Sequence, residues 1–167
     1  MKKDDLEQIY KTYYHEIYLY ALSLCKNTLE AEEITSDTFY KALLCAEDQS
    51  DSIKYWLLRV CKNIFIDQAR QKKRRPVAPL EDIGSPSYDN VLEQMIQSED
   101  AKNLYHCILQ LPDRYRELIY MFYFMNYSLK EIALFTKQSV GTTRTALCRS
   151  RDKLRSILYE EGYHEFP

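Results

Sequence analysis

Glycine, proline and paired cysteine are what this sequence has little of. Three glycines and five prolines in 167 residues leave few points at which the chain is obliged to turn, which favours long helices over many short strands. The five cysteines, Cys25, Cys45, Cys61, Cys107 and Cys148, include no C-x-x-C pair, and the three histidines are scattered. That spacing argues against a zinc site and gives a disulfide framework no support. Buried thiols in a reducing cytosol are the expectation. Long apolar runs are missing as well. The longest uncharged stretch, LIYMFYFMNYSL, has twelve residues, against about 20 needed to span a bilayer, and reads as a core helix. The opening MKKDDLEQ runs straight into an amphipathic pattern rather than a signal peptide, so a cytoplasmic protein is expected. Catalytic patterns are equally scarce. There is no H-x-E or D-x-D, and the one E-x-x-H pair, Glu161 and His164, sits in a polar tail. A metal-dependent nuclease or deaminase therefore has little to stand on, and neither a metal nor a cofactor is expected.

What the chain does have is charge in blocks. Its formal net charge is −2, but residues 1–53 carry net −6, residues 54–75 net +7, residues 76–136 net −5 and residues 137–155 net +5. Two separated basic segments in an acidic background suit two contacts with a polyanion. Two solvated helix faces would give the same pattern.

Hydrophobic spacing of 3.6 residues runs through most of the sequence. Residues 5–46 read as two helices. The first repeats Leu6, Ile9, Tyr10, Tyr13, Tyr14, Ile17, Tyr20, Ala21 and Leu24; the second, capped at Thr28, turns Ala31, Ile34, Thr38, Phe39 and Ala42 inward. A third helix, with Ser52 as its N-cap, carries Trp56, Leu57, Val60, Ile64 and Asp67 along one stripe and ends in QKKRR before Pro76. The aperiodic PVAPLEDIGSPSYDN holds three of the five prolines and reads as a linker at 76–90 between a domain at 1–75 and another at 91–167. Helices are expected over 90–110 and about 113–125. Then Ser128 and Glu131 stand at capping-box spacing, LKEIALF forms two turns, and after TKQS the N-cap Ser139 opens a helix to about Leu158. The expected fold class is all-α: two small helical domains, the second with a helix-turn-helix.

On a helical wheel Val140, Thr143, Leu147, Leu154 and Leu158 face the core, with Ala146 at the edge. Thr142, Thr145, Arg149 and Lys153 face outward. Short hydroxylated residues near the helix start let it approach base edges, and arginine deeper along can fork onto a guanine. Arg144, Arg151 and Arg155 flank the core stripe, where DNA backbone or a neighbouring domain would meet them. A basic helix of an ordinary bundle is the alternative.

The stretch SLKEIALFTKQSVGTTRTALCRSRDKL resembles the C-terminal DNA-binding region of bacterial sigma factors. LEAEEITSDTFYKAL and YWLLRVCKNIFIDQARQKKRR resemble their promoter-melting domain. Order, linker and length are similar to the extracytoplasmic-function type of the sigma-70 family, from about Leu6 to Leu158. The resemblance implies a promoter-specificity factor, not an enzyme, that binds core RNA polymerase and promoter DNA. Glu30, Glu33, Asp37, Thr38 and Phe39 would then meet core polymerase. Ser50, Asp51, Ser52, Lys54, Tyr55, Trp56, Arg59, Lys62, Asn63 and Arg70 would meet the −10 element. Ser139, Thr142, Arg144, Thr145, Arg149 and Lys153 would meet the −35 element in the major groove. The resemblance also implies a linker threading towards the polymerase active centre and an anti-sigma factor as a further partner; a monomer is expected when partners are absent. Aromatics and bases mixed in the third helix suit a melted single strand, although a lone Trp on an apolar stripe is usually core. The sequence departs from the family pattern at Ser36, Thr143, Ala146 and Lys137. Lys137 stands at a turn position where glycine is common, and a left-handed lysine there costs about 1 kcal/mol. A stand-alone helix-turn-helix regulator is the rival reading; it would require a dimerisation helix or ligand pocket.

Overall fold

The computed structural model describes residues 3–45, 53–74 and 98–164. The chain divides into two compact units, Met1–Tyr88 and Asp89–Pro167. The division falls in the stretch read as a linker, which lies outside the described residues. No strand occurs among the described residues.

The first unit packs α1 (Lys3–Cys25), α2 (Thr28–Leu44) and α3 (Ile53–Arg74) against one another. Its core is deepest around Ile17, Tyr20, Ala21, Ile34, Leu57, Leu58 and Cys61, each almost without exposure. The first half of α1 is less buried than its periodicity suggests: Tyr10 is 45% exposed, because it lies along the surface with its ring edge-on to Phe39 at 5.0 Å. The cap of α2 is Asn27 rather than Thr28; the Asn27 side chain accepts from the Glu30 N–H at 3.1 Å. Thr28 is then the first helical residue and is buried. Ser23, Thr35 and Thr38 are buried, and each hydroxyl donates to a carbonyl of its own helix, which satisfies the polar group locally.

In the second unit, Ser98 caps α4 (Glu99–Leu109), accepting from the Ala101 N–H at 3.2 Å. Leu111 and Pro112 separate it from α5 (Asp113–Ile119). The single helix expected to about 125 instead widens into a π turn over Tyr120–Phe124, closed by the Met125 N–H donating to Tyr120 O at 2.9 Å. One extra residue per turn shifts the phase of this aromatic run. Tyr120, Met121, Met125 and Tyr127 all become buried, while Tyr123 and Phe124 reach the surface. Next come α6 (Leu129–Thr136) and the long α7 (Val140–Glu160). α4, α5 and α6 each pack on α7.

Candidate nucleic-acid and protein interfaces

The joint between α6 and α7 is built by three local devices. Ser128 and Glu131 form the complete capping box: Ser128 Oγ accepts from the Glu131 N–H at 3.1 Å, and the Glu131 carboxylate accepts from the Ser128 N–H at 2.8 Å. Lys137 ends α6 in the left-handed conformation, φ 57 and ψ 42, as expected for this turn position. Ser139 then caps α7, accepting from the Thr142 N–H at 3.0 Å. Helix, three-residue turn and long basic helix follow in the helix-turn-helix order.

On α7, Thr142, Thr145, Arg149 and Lys153 are exposed together, as are Ser139 and Arg144. Arg149, Lys153 and Arg144 have no ion-pair partner among the described residues. The other two flanking arginines, Arg151 and Arg155, behave differently. Arg151 donates from Nε to the Tyr123 hydroxyl at 2.5 Å and lies 5.6 Å from the Phe122 and Tyr123 ring centres. Arg155 pairs with Asp152 at 3.5 Å. The inner face differs from the wheel: Ala146, Ser150 and Ile157 are buried along with Thr143 and Leu147. Val140, Leu154 and Leu158 are only half-buried. Ser150 and Thr143 reach the core because their hydroxyls donate to Ala146 O and Ser139 O on the same helix. These small residues set α7 close to its neighbours.

Arg116 was not foreseen. It is fully buried, donating to Leu111 O at 2.9 Å and to the Asp113 carboxylate at 2.7 Å. It thereby ties the end of α4 to the first turn of α5. Nothing in the sequence separates it from the exposed Arg114 two residues earlier.

The basic segment of the first unit is α3. Arg59, Asn63 and Arg70 are exposed, and Lys54, Tyr55, Trp56 and Lys62 are half-buried. Trp56 is thus neither a free platform nor full core. Ser50, Asp51 and Ser52 lie outside the described residues.

On α2, Glu33 and Asp37 are exposed, and neither has a partner among the described residues. Glu30 accepts from the Lys72 ammonium at the far end of α3. Thr38 and Phe39 are buried. Thr38 donates to Ile34 O at 2.7 Å, and Phe39 stacks on Tyr14 and meets Tyr10 edge-on. The periodicity that turned these two inward holds, and they support the acidic face from beneath instead of lying on it. The same face exposes Leu29, Tyr40, Leu43 and Leu44, each more than half accessible, which a reading by charge alone had missed.

Two thiols are held protonated. Burial pushes Cys25 up to about 11, and burial also raises Cys107. Among the described residues no group of three or more His, Cys, Asp or Glu is placed to hold a metal ion, and no helix is long and apolar enough to cross a membrane.

Two family models match this chain: "Sigma-70 region 2" over residues 9–75 and "Sigma-70, region 4" over residues 101–154. Among its relatives, the ECF RNA polymerase sigma factor SigM of Bacillus subtilis (strain 168) is 29% identical over 161 residues, 96% of this chain and 98% of the relative. SigW of the same organism is 31% identical over 166 residues, 92% of this chain and 87% of the relative. Two solved structures share the fold. The sigma factor RpoE in complex with the anti-sigma factor NepR from Bartonella quintana gives a TM-score of 0.69 at 21% identity over 93% of this chain and 97% of that one. CnrH in complex with the cytosolic domain of CnrY gives 0.69 at 18% identity over 96% and 92%.

Proposed function

This chain belongs to the sigma-70 family of transcription initiation factors, of the extracytoplasmic-function kind, and from that membership we propose how three of its surfaces divide the work of promoter-specific initiation. The protein is a promoter-specificity factor: it binds core RNA polymerase, recognises the −10 and −35 promoter elements and directs the start of transcription. It acts in the cytoplasm and catalyses no reaction of its own.

The outward face of α7, with Ser139, Thr142, Arg144, Thr145, Arg149 and Lys153, reads the −35 element. The observation that carries this reading is the exposed basic and hydroxylated face of α7, whose Arg144, Arg149 and Lys153 have no ion-pair partner among the described residues, directly after a fully formed capping box and N-cap. Small residues at its start admit the helix to the groove, and the unpaired Arg149 is available to fork onto a guanine. α3 and the residues before it meet the −10 element. Arg59, Asn63 and Arg70 follow the backbone, while Tyr55 and Trp56 give partly exposed rings for unstacked bases. The α2 face, with Glu33, Asp37 and the apolar rim of Leu29, Tyr40, Leu43 and Leu44, docks on core polymerase. An apolar patch edged by charge is the usual composition of a protein interface. Residues 1–75 and 91–167 are the two working domains and 76–90 the linker between them. An anti-sigma factor that covers these surfaces is the expected regulator, supported by the relatives' complexes.

Transcription reconstituted from core polymerase and this chain tests the assignment. Run-off transcripts should begin at a defined set of start sites sharing −10 and −35 sequences. If the chain binds operator DNA alone and does not change the start sites chosen by core polymerase, the stand-alone regulator is the correct reading.

A further inference from the structure

An open cleft of about 510 Å³ lies between the start of α5 and the first turns of α7, lined by Arg114, Gly141, Thr142, Thr145 and Arg149 among others. No carboxylate lines it, so its electrostatic character is set by two guanidinium groups. We propose that this cleft seats one backbone phosphodiester of the promoter duplex, with Arg114 of α5 as its second wall and Gly141 as its floor. The inference rests on the reading of α7 as the −35 helix and adds to it a contact from a different element.

Three observations carry it. First, Gly141 has no reason within the fold to be glycine. It is helical and exposed, and a Cβ built on it would meet only Ser139 Oγ, at 4.0 Å. Alanine is the better helix former at such a position; what glycine offers is close approach to the backbone. Second, Arg114 is not loose. It donates to Gln138 Oε1 at 3.0 Å, and Gln138 is the residue before the cap of α7, so the side chain bridges α5 to the turn that delivers α7. A guanidinium held through one nitrogen keeps its other donors for an anion. Third, the hydroxyl bonding leaves a donor in the cleft. Ser139 Oγ donates to Thr142 Oγ1 at 2.8 Å, so the Thr142 oxygen accepts and its own proton remains to be given. Thr145 is spent, donating to Gly141 O at 3.1 Å.

The test uses holoenzyme assembled from the full chain and core RNA polymerase. Promoter duplexes each carry a single neutral methylphosphonate at successive positions across the −35 region. The wild-type holoenzyme should lose about tenfold in affinity at one or two adjacent positions, and Arg114→Ala should lose about as much on unmodified DNA. Arg114→Ala should then be indifferent to the same methylphosphonates, and its salt slope should fall by about 0.9. Arg114→Lys should restore most of the slope. Gly141→Ala should raise Tm by about 2–4 °C while lowering promoter affinity. Arg149→Ala is the separate check on the underlying reading, through its base preference. If Arg149→Ala changes base preference but Arg114→Ala still responds to every methylphosphonate as wild type does, the cleft seats no phosphate and the −35 reading stands. A Gly141→Ala variant that is more stable and binds promoter as tightly as before overturns the role given to the glycine. No effect from any of the three variants removes the −35 reading itself.

Discussion

The Glu30 carboxylate on α2 accepts a hydrogen bond from the Lys72 ammonium on α3, 42 residues further along. An acidic helix and a basic helix of one unit are thus tied at their surface, and among the described residues Glu30 is the one acid of the Glu30–Glu33–Asp37 face with a charge partner. Glu33 and Asp37 are exposed and have no charge partner among the described residues. Glu33→Lys and Asp37→Lys should each weaken association with core polymerase by about tenfold or more, with Tm unchanged to within about 2 °C. Glu30→Lys should also cost about 0–1 kcal/mol of stability, as an exposed ion pair does. Pull-down with core and thermal denaturation measure the two effects; normal core binding by the natively folded double variant would place the docking surface elsewhere.

On α3, Arg59 is exposed and Trp56 half-buried, so their substitutions should separate. Arg59→Ala is expected to spare stability and reduce promoter opening. Trp56→Ala should destabilise by about 1–3 kcal/mol, below the range for a fully buried tryptophan. Permanganate footprinting beside thermal melts distinguishes them, and unaltered footprints for Arg59→Ala would exclude it from the −10 surface.

For α7 the contrast is between a base reader and a phosphate contact. Arg149→Ala should relax preference at one −35 base, a discrimination of about 1–3 kcal/mol. Lys153→Ala should weaken all promoters alike and lower the salt slope by about 1. Transcription across single-base −35 variants reads both. Loss of strength without any change of preference in Arg149→Ala would make it another backbone contact.

Arg116 makes a prediction about stability alone. Arg116→Ala leaves the buried Leu111 carbonyl without this donor and opens a cavity, a loss of about 2–4 kcal/mol. Urea unfolding should show it, while Arg114→Ala, two residues away and exposed, should shift the midpoint little. Equal effects would mean that Arg116 is less confined than its complete burial indicates.

The Cys25 thiol gives the chain a basic limit. Its folded value of about 11 lies above the usual 9.0, so the folded protein holds the proton after the unfolded chain has released it. Stability from this group is intact below pH 9 and falls as pH rises from 9 to about 11, by about 2–3 kcal/mol in all. Replacing Cys25 with Ala should flatten that part of the pH–stability curve; an unchanged slope would show that burial does not govern this thiol.

Sequence and structure agree best where the determining chemistry is short in range. The Ser128–Glu131 box, the Ser139 cap and the left-handed Lys137 each depend on residues within four positions, and spacing alone exposes them. The Asn27 cap was ambiguous because Thr28 beside it has the same chemistry. What stayed hidden depends on packing. Ser150 and Thr143 count as polar in any pattern, yet satisfy their hydroxyls on their own helix and enter the core. Arg116 looks like any helical arginine until Leu111 and Asp113 fold around it. The π turn follows from how an aromatic run packs and has no spacing signature of its own. At Thr38 and Phe39 two readings of one sequence conflicted, surface by resemblance and core by period, and burial follows the period. Most of the outward face of α7 was legible; the cleft beside it required α5 and α7 to be brought together.

The inner face of α7 has a consequence for its outer one. A helix resting on Leu or Phe side chains can roll by several degrees as those side chains change rotamer. α7 rests in part on Thr143, Ala146 and Ser150, of which alanine has no rotamers and the other two are pinned by bonds to the helix's own carbonyls. Such a seat resists rotation about the helix axis. The azimuth at which Thr145 and Arg149 point is therefore fixed from behind, by how the opposite face of the helix is seated. A single added methylene at Ala146 would turn the reading face by a fraction of a base pair, and register would be lost with every exposed side chain still in its place in the sequence.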